Sequence, residues 1–452
     1  MSELRSRAIG ELEPSIAIVG SGPAGCYTAQ MLRKRWAAAQ IVVFERLPVP
    51  YGLLRYGVSP DHQGTKAVAR QFDRLFTDGG VHFIGNVEVG KHVSIDQLQD
   101  AFDIVVVAAG LGADRPLPGV DGDGVYGAGQ VMRWFNSHPD EHSFAPRFGA
   151  TTTIIGNGNV AVDVLRLLAK HRDSFTGSDL DPRRIDKQPN RIHVVGRSPA
   201  SAAKFDSVMI RELADINDAV FDVDAVDDTG HEDTKIQAKI EALLELTTGR
   251  AVPPSPRVHV SFHFGWTPES IESTPAGRTL SLADTESRQA GKVIETDSVV
   301  TAVGFGYGLR HEVDRTHLES NLSDLDSGLL DSGLYCSGWF RRGPTGGIPA
   351  NRLDAKMVCA RIVADVETGT ITPTKVGLPA LAADLHPDTV DFAGWRRIDA
   401  TEVTRPGHGR CRTKVSDIAT MLDLARTFTD ERTTPTHVEN PPSDAVGHKE
   451  ER

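Results

Sequence analysis

The stretch IAIVGSGPAG, residues 16–25, decides the fold. A short β-rich run ends at Gly20. Gly20-Ser-Gly22-Pro23-Ala24-Gly25 then opens a helix expected over 24–35. The three glycines act differently. Gly20 permits the tight turn, Gly22 lets the backbone approach a pyrophosphate, and Gly25 lets helix and strand pack closely. The helix start points its free N–H groups at the phosphates. A second apolar strand, 41–45, ends on Glu45, the place for an acid that hydrogen-bonds a ribose diol. Strand, turn, helix, strand and acid together read as a dinucleotide-binding unit.

The pattern returns at Gly156-Asn157-Gly158-Asn159-Val160-Ala161, between a strand at 152–155 and a helix at 160–170. Alanine is an accepted third member. Its partner strand, 192–195, is followed by Gly196 and Arg197, with no acid. Arginine there suits a 2′-phosphate, hence NADP over NAD, unless it merely caps a surface loop. Two different units suggest two different dinucleotides, FAD at the first and a nicotinamide cofactor at the second. That combination means hydride transfer.

Outward from these units the reading is coarser. Strands are expected at 81–84, 104–108, 258–264, 279–282, 298–303 and 333–337, with helices at 65–77 and 355–366. A polar loop spans 172–190, and 225–257 has no clear assignment. Residues 427–452 have the composition of a disordered tail. Lys and Arg number 49 against 61 Asp and Glu, a net charge of −12, which argues against a general nucleic-acid binder. The longest apolar run, near 104–109, is too short to span a bilayer, and the N-terminus shows no secretory signal. The four cysteines form no C-x-x-C pair, which excludes a disulfide scaffold, a reactive dithiol and a compact iron–sulfur site. A reducing cytoplasm is expected. The 43 glycines, which show no collagen-like period, point to many tight turns or close approaches to a ligand.

More specific stretches frame the two units: ERLPVPYGLLRYGVSPDH (45–62), FIGNVEVG (83–90), VAAGLGADR (107–115), IIGNGNVAVDV (154–164), RELAD (211–215) and GWFRRGPTGGIPAN (338–351). Through these the chain resembles the adrenodoxin-reductase type of ferredoxin–NADP reductase, especially its actinobacterial members. A weaker echo continues near 407–414. The resemblance implies an α/β fold of two Rossmann-like domains, the NADP domain inserted into a split FAD domain. The expected limits are 1–112 and 313–426 for FAD and 113–312 for NADP. It implies that Ala24, Glu45, Leu53 and Val87 line the FAD adenosine and pyrophosphate. Arg46, Gly52, Ala109, Gly110 and Gly338 would join them. Trp339 and Gly346, Gly347 and Ile348 would lie against the isoalloxazine and ribityl chain. Asn157, Gly158, Asn159 and Val160 would hold the NADP pyrophosphate, and Arg115, Arg197 and Ser198 would contact NADP. His62 and Glu212 match a polar pair beside nicotinamide and flavin. The activity implied is hydride transfer from NADPH to FAD, then single electrons to a ferredoxin-type iron–sulfur protein that can feed a haem monooxygenase. A cytoplasmic monomer is expected, with no bound metal.

Plainer readings stand beside these. His62 could cap a turn, Trp339 could be core, Glu212 could lie on a solvated helix face, and Arg341-Arg342 could be surface charge rather than a contact for an acidic ferredoxin. The family carries two adjacent arginines where this chain has Arg197-Ser198, and a glutamate where it has Met209. NADPH preference with weakened discrimination against NADH is expected, unless Lys204 compensates. The rival functions are a flavin-dependent monooxygenase and a non-catalytic nucleotide-binding regulatory protein.

Overall fold

Each glycine unit lies inside a six-stranded sheet. In spatial order the first sheet runs Leu329–Asp331, Leu334–Cys336, Ile104–Val107, Ile16–Val19, Ile41–Phe44 and Val81–Ile84. All neighbours are parallel except Leu329–Asp331 against Leu334–Cys336. Its central strands are buried along their whole length, because helices cover both faces. Ile16, Ile18, Ile41 and Val43 meet the helices Pro23–Arg35 and Ile348–Glu367. Ala17, Val19, Val42 and Phe44 meet the side of the Ile95–Ala101 helix.

The second sheet runs Val125–Gly127, Ser298–Thr301, Thr151–Ile155, Arg191–Gly196, Val258–Phe264 and Ala219–Val223, parallel throughout. The chain leaves the first sheet after Val107, builds the second, and returns at Leu329, so one α/β unit is inserted into the other. The computed structural model describes residues 13–426, except 225, 227–229, 231, 249–252, 276, 307–323, 325 and 408. The tail at 427–452 and the boundary at 312/313 therefore lie outside the described residues.

Several local expectations need correction. The helix expected over 65–77 is two pieces, Gln63–Lys66 and Ala69–Thr77. Between them the backbone bonds shorten to three-residue steps, as Lys66 is held in a buried polar cluster. The helix expected from 355 begins at Ile348, with Pro349 in its first turn, where a missing N–H costs no hydrogen bond. The unassigned region contains the helix Thr234–Thr248, capped by Asp233 and buried through Ile240, Leu243 and Leu246. Only 279–282 was expected of an antiparallel meander formed by Trp266–Thr274, Gly277–Asp284 and Ala290–Thr296. Its outer strands are half in water and lack a continuous apolar signal.

Candidate functional site

The two glycine turns repeat one geometry at the switch point of each sheet. Gly20 has φ +103°, and a Cβ there would stand 2.6 Å from the Ala108 carbonyl oxygen. Gly156 has φ +130°, and its Cβ would stand 2.3 Å from the Ala302 carbonyl oxygen. Any other residue would collide with the neighbouring strand's exit. Gly25 is equally confined, with its Cβ 2.0 Å from the Gly20 oxygen. Gly22 and Gly158 differ: a Cβ on either meets nothing within 4 Å. These two face open space at helix starts that have no side-chain cap and no acid in the first turn. That is an anion cradle of backbone N–H groups.

Glu45 is fixed beside the first cradle. Its carboxylate accepts from Ser21 N (3.0 Å), Ser21 Oγ (2.6 Å) and Leu47 N (3.1 Å). Ser21 Oγ also accepts from Tyr51 N at 3.1 Å, which folds the 45–56 loop onto the turn. Gly52 consequently lies with its Cβ position 3.3 Å from Gly22 Cα, and Leu53 follows in the same short helix. Val87 is buried and donates its N–H to the Glu45 carbonyl at 2.9 Å. Ala109 and Gly110 leave the Ile104–Val107 strand beside Gly20, Gly110 at φ +71°. Arg46 makes two bonds to Asp140 in the second unit, 3.1 and 2.9 Å.

The 338–351 block closes against this cradle. Gly338 has φ +75°, and a Cβ there would come 2.5 Å from Ala24 Cβ. Trp339 donates its indole N–H to the Gly346 carbonyl at 3.2 Å, and its ring centroid lies 5.4 Å from that of Phe305. Gly346, at φ +74°, turns the chain into Gly347 and the helix beginning at Ile348. Arg341 and Arg342 are not an outward basic pair. Both are held by buried Asp354, at 2.6 and 3.5 Å, with 14% and 15% of their side chains exposed.

At the second cradle the loop is tied by its asparagines. Asn157 donates to Ser198 Oγ at 3.1 Å, and Asn159 and Asp206 exchange two bonds. Val160 is partly buried under the sheet's core. Arg197 and Arg115 are exposed. Met209 packs on the core, and Lys204 is exposed, joined through its backbone N–H to the Asn157 carbonyl.

His62 and Glu212, 150 residues apart, meet where the two units join: Nε2 to Oε2 is 3.1 Å. They share the lips of two adjoining clefts of about 420 and 980 Å³. The other ring nitrogen of His62 faces Asp163 at 3.8 Å. The sequence reading missed Asp163, and also Arg166 behind it. Arg166 is 1% exposed and bonds Asp163 (2.8 Å), Ser59 Oγ (3.0 Å) and Asp61. Lys170 adds a 2.7 Å bond to Asp61. Burial alone would raise the Asp61 carboxyl, but Arg166 and Lys170 outweigh it and hold it well below the usual range. Burial raises Asp163, against the pull of Arg166. The available signal was D-x-x-R on the helix after the second turn, which reads equally well as an ordinary i,i+3 pair.

Two backbone cradles, an acid at one and an exposed arginine at the other, fit two dinucleotides. The class so defined is a flavoprotein reductase using a nicotinamide cofactor. Residues 14–248 match the family model of the pyridine nucleotide-disulphide oxidoreductases. The chain is 76% identical over 452 residues to the cindoxin reductase of Citrobacter braakii, covering 100% of both. It is 30% identical over 454 aligned residues to the mitochondrial NADPH:adrenodoxin oxidoreductase of Homo sapiens, covering 92% of each. The structure of FprA from Mycobacterium tuberculosis in complex with NADPH matches 92% of this chain and 100% of its own, with a TM-score of 0.81 and 29% identity. The chain belongs to the pyridine nucleotide-disulphide oxidoreductases, within the adrenodoxin-reductase type of ferredoxin–NADP reductase. It is an NADPH-dependent oxidoreductase with FAD and NADP(H) as cofactors. No described helix is long and apolar enough to cross a membrane, and no described group of His, Cys, Asp and Glu is arranged for a metal. None of the four cysteines forms a disulfide.

Proposed function

We propose that the enzyme passes electrons from NADPH, through FAD, to a small one-electron carrier of the ferredoxin iron–sulfur type, which in turn serves an acceptor such as a haem monooxygenase. The relative named cindoxin reductase supports a dedicated carrier protein. The observation that carries the reading is the His62–Glu212 contact, made between the two nucleotide units rather than within one.

In this reading Gly20, Gly22, Pro23, Ala24, Gly25, Glu45 and the 338–348 block hold FAD. The 156–161 turn, Arg115, Arg197 and Ser198 hold NADP(H). The units divide near 112 and 312. Bound together, the two cofactors couple a two-electron donor to a group able to release electrons singly. The chain's own residues supply alignment and environment. His62, clasped between Glu212 and Asp163, orients the nicotinamide end and holds a proton at a ring nitrogen. Trp339 and Phe305 exclude water from one side. Alignment alone contributes a large share of such a rate. The enzyme acts as a monomer in the cytoplasm; four cysteines outside any disulfide are in keeping with that reducing compartment.

A His62→Ala variant tests the assignment. It should keep its flavin absorbance while reduction by NADPH slows by about tenfold to a hundredfold in stopped flow. Unchanged reduction removes His62 from the site. Product hydroxylation dependent on an organic substrate would favour a monooxygenase. A colourless protein inert toward ferricyanide would favour a regulatory nucleotide binder.

A further inference from the structure

Leu353 and Met357 are exposed at 71% and 39%, and they stand one helical turn apart. Among the described large apolar side chains left exposed, no other two lie at that spacing on one helix. Ala360 and Ala364, also exposed, continue the same row. The Ile348–Glu367 helix is thus apolar on two sides. Ala355, Val358, Cys359 and Ile362 face the core, and the Leu353 row faces outward, where a surface helix normally carries polar residues.

The row has a basic border. Arg352 and Lys356 are exposed beside it. The neighbouring Pro23–Arg35 helix, packed alongside, ends in Lys34 and Arg35. The two helices offer no acid to balance Lys34, Arg352 or Lys356. Asp354 is taken by Arg341, Asp365 by Arg361 at 2.9 Å, and Glu367 by Arg35 at 2.7 Å. Lys34, Arg352 and Lys356 have no carboxylate partner among the described residues. On a chain of net charge −12, these three cations stand without a described counter-charge.

Its position also matters. The helix begins directly from the glycine block, with Asn351 N–H bonded to the Gly347 carbonyl. Leu353 stands about 7.5 Å along the axis from Ile348 at the helical rise. The face therefore adjoins the residues assigned to the flavin.

We propose that the Leu353–Met357–Ala360–Ala364 row and its basic border form the docking surface for an acidic one-electron carrier. The inference rests on the reductase reading above. Complementary charge steers the encounter, and the apolar row supplies contact area that needs no fixed polar partner. A second copy of this chain is the poorer occupant, because two such borders would repel each other.

The test uses the FAD-loaded enzyme and an acidic [2Fe–2S] ferredoxin coupled to cytochrome c. Two double variants are compared with wild type, Leu353→Asp/Met357→Asp and Arg352→Glu/Lys356→Glu. Both should raise the KM for ferredoxin by about tenfold while NADPH–ferricyanide turnover is unchanged. The charge-reversed pair should also flatten the salt dependence of the ferredoxin rate. If wild type reduces ferredoxin and both variants match it, the docking surface is wrong and the reductase reading stands. If wild type reduces ferricyanide but no ferredoxin, the iron–sulfur carrier reading fails and takes this proposal with it. A wild-type dimer in light scattering that Leu353→Asp/Met357→Asp makes monomeric would assign the face to self-association instead.

Discussion

Two glycines of the first turn separate protein strain from ligand contact. Gly20 is confined by the fold itself, with positive φ and the Ala108 carbonyl at 2.6 Å from any Cβ. Gly20→Ala should therefore lower the thermal midpoint even without cofactor, by roughly 1–3 kcal/mol of strain. Gly22 has open space, so Gly22→Ala should leave the apoprotein's midpoint almost unchanged. It should nevertheless weaken FAD retention, read as flavin lost on gel filtration. Equal FAD affinity in Gly22→Ala and wild type would remove the first cradle from the FAD site. At the second cradle, Ser198 accepts from Asn157 and brings no charge. A charge-assisted bond contributes roughly 1.5–3 kcal/mol. Ser198→Arg should then raise the NADPH:NADH ratio of kcat/KM on the order of tenfold to a hundredfold. An unchanged ratio would mean that Arg197, or Lys204, already supplies the full discrimination.

The helix after the second turn does more than point its start at a phosphate. Through Asp163 and Arg166 it braces the Ser59–His62 corner of the other unit. Arg166→Met would leave Asp163 buried without its guanidinium, at a cost of about 3–5 kcal/mol. That should appear as a lower denaturation midpoint. Asp61 adds a pH signature. Its folded pKa is depressed below the unfolded value of about 3.9, so its contribution is complete above that pH and is lost as pH falls through the folded value. The stability gap between wild type and Asp61→Asn should thus narrow from pH 7 to pH 3 in urea titrations. A constant gap would show that the Arg166 and Lys170 contacts do not perturb the carboxyl. This brace was invisible in sequence, whereas the two cradles were plain. A positive-φ glycine facing a strand exit leaves a residue-type signature, and Glu45 and His62 lie inside specific loops. Asp163 and Arg166 carry no signature, because their meaning comes from a surface about 100 residues away in the chain. The setting of Arg341-Arg342 was hidden for the complementary reason: their partner, Asp354, is a helix residue whose burial only the tertiary fold decides. The meander was largely illegible too, since edge strands half in water alternate weakly.

Across the whole molecule, three distant segments converge on one carboxylate. Asp179 accepts from Lys66 at 2.9 Å and Lys414 at 2.8 Å, with Asp179 and Lys414 side chains 2% exposed. Both ammonium groups also bond the Arg55 carbonyl and Asn136 Oδ1. The C-terminal strap reinforces the junction, with Cys411 N–H on the Ser178 carbonyl and Gly177 N–H on the Gly409 carbonyl. The first sheet's unit, the inserted unit and the strap are therefore held by the same polar knot, just beneath Gln63, which itself donates to Asp179 at 2.8 Å. Two cations around one anion make the three positions unequal. Burial and the like charge of Lys66 push Lys414 well below its ordinary value, so it is held at a cost. Asp179→Asn removes the counter-charge from two buried ammonium groups and should cost about 3–5 kcal/mol. Lys414→Met removes one cation, leaves the Lys66–Asp179 pair intact, and should cost only about 1–2 kcal/mol. In the double variant Asp179→Asn/Lys414→Met the loss should fall short of the sum, because the second change relieves a repulsion the first created. Urea midpoints of the FAD-loaded enzyme measure all three. Additive losses would mean that the two lysines do not share Asp179, and that the knot is held by the strap's backbone bonds alone.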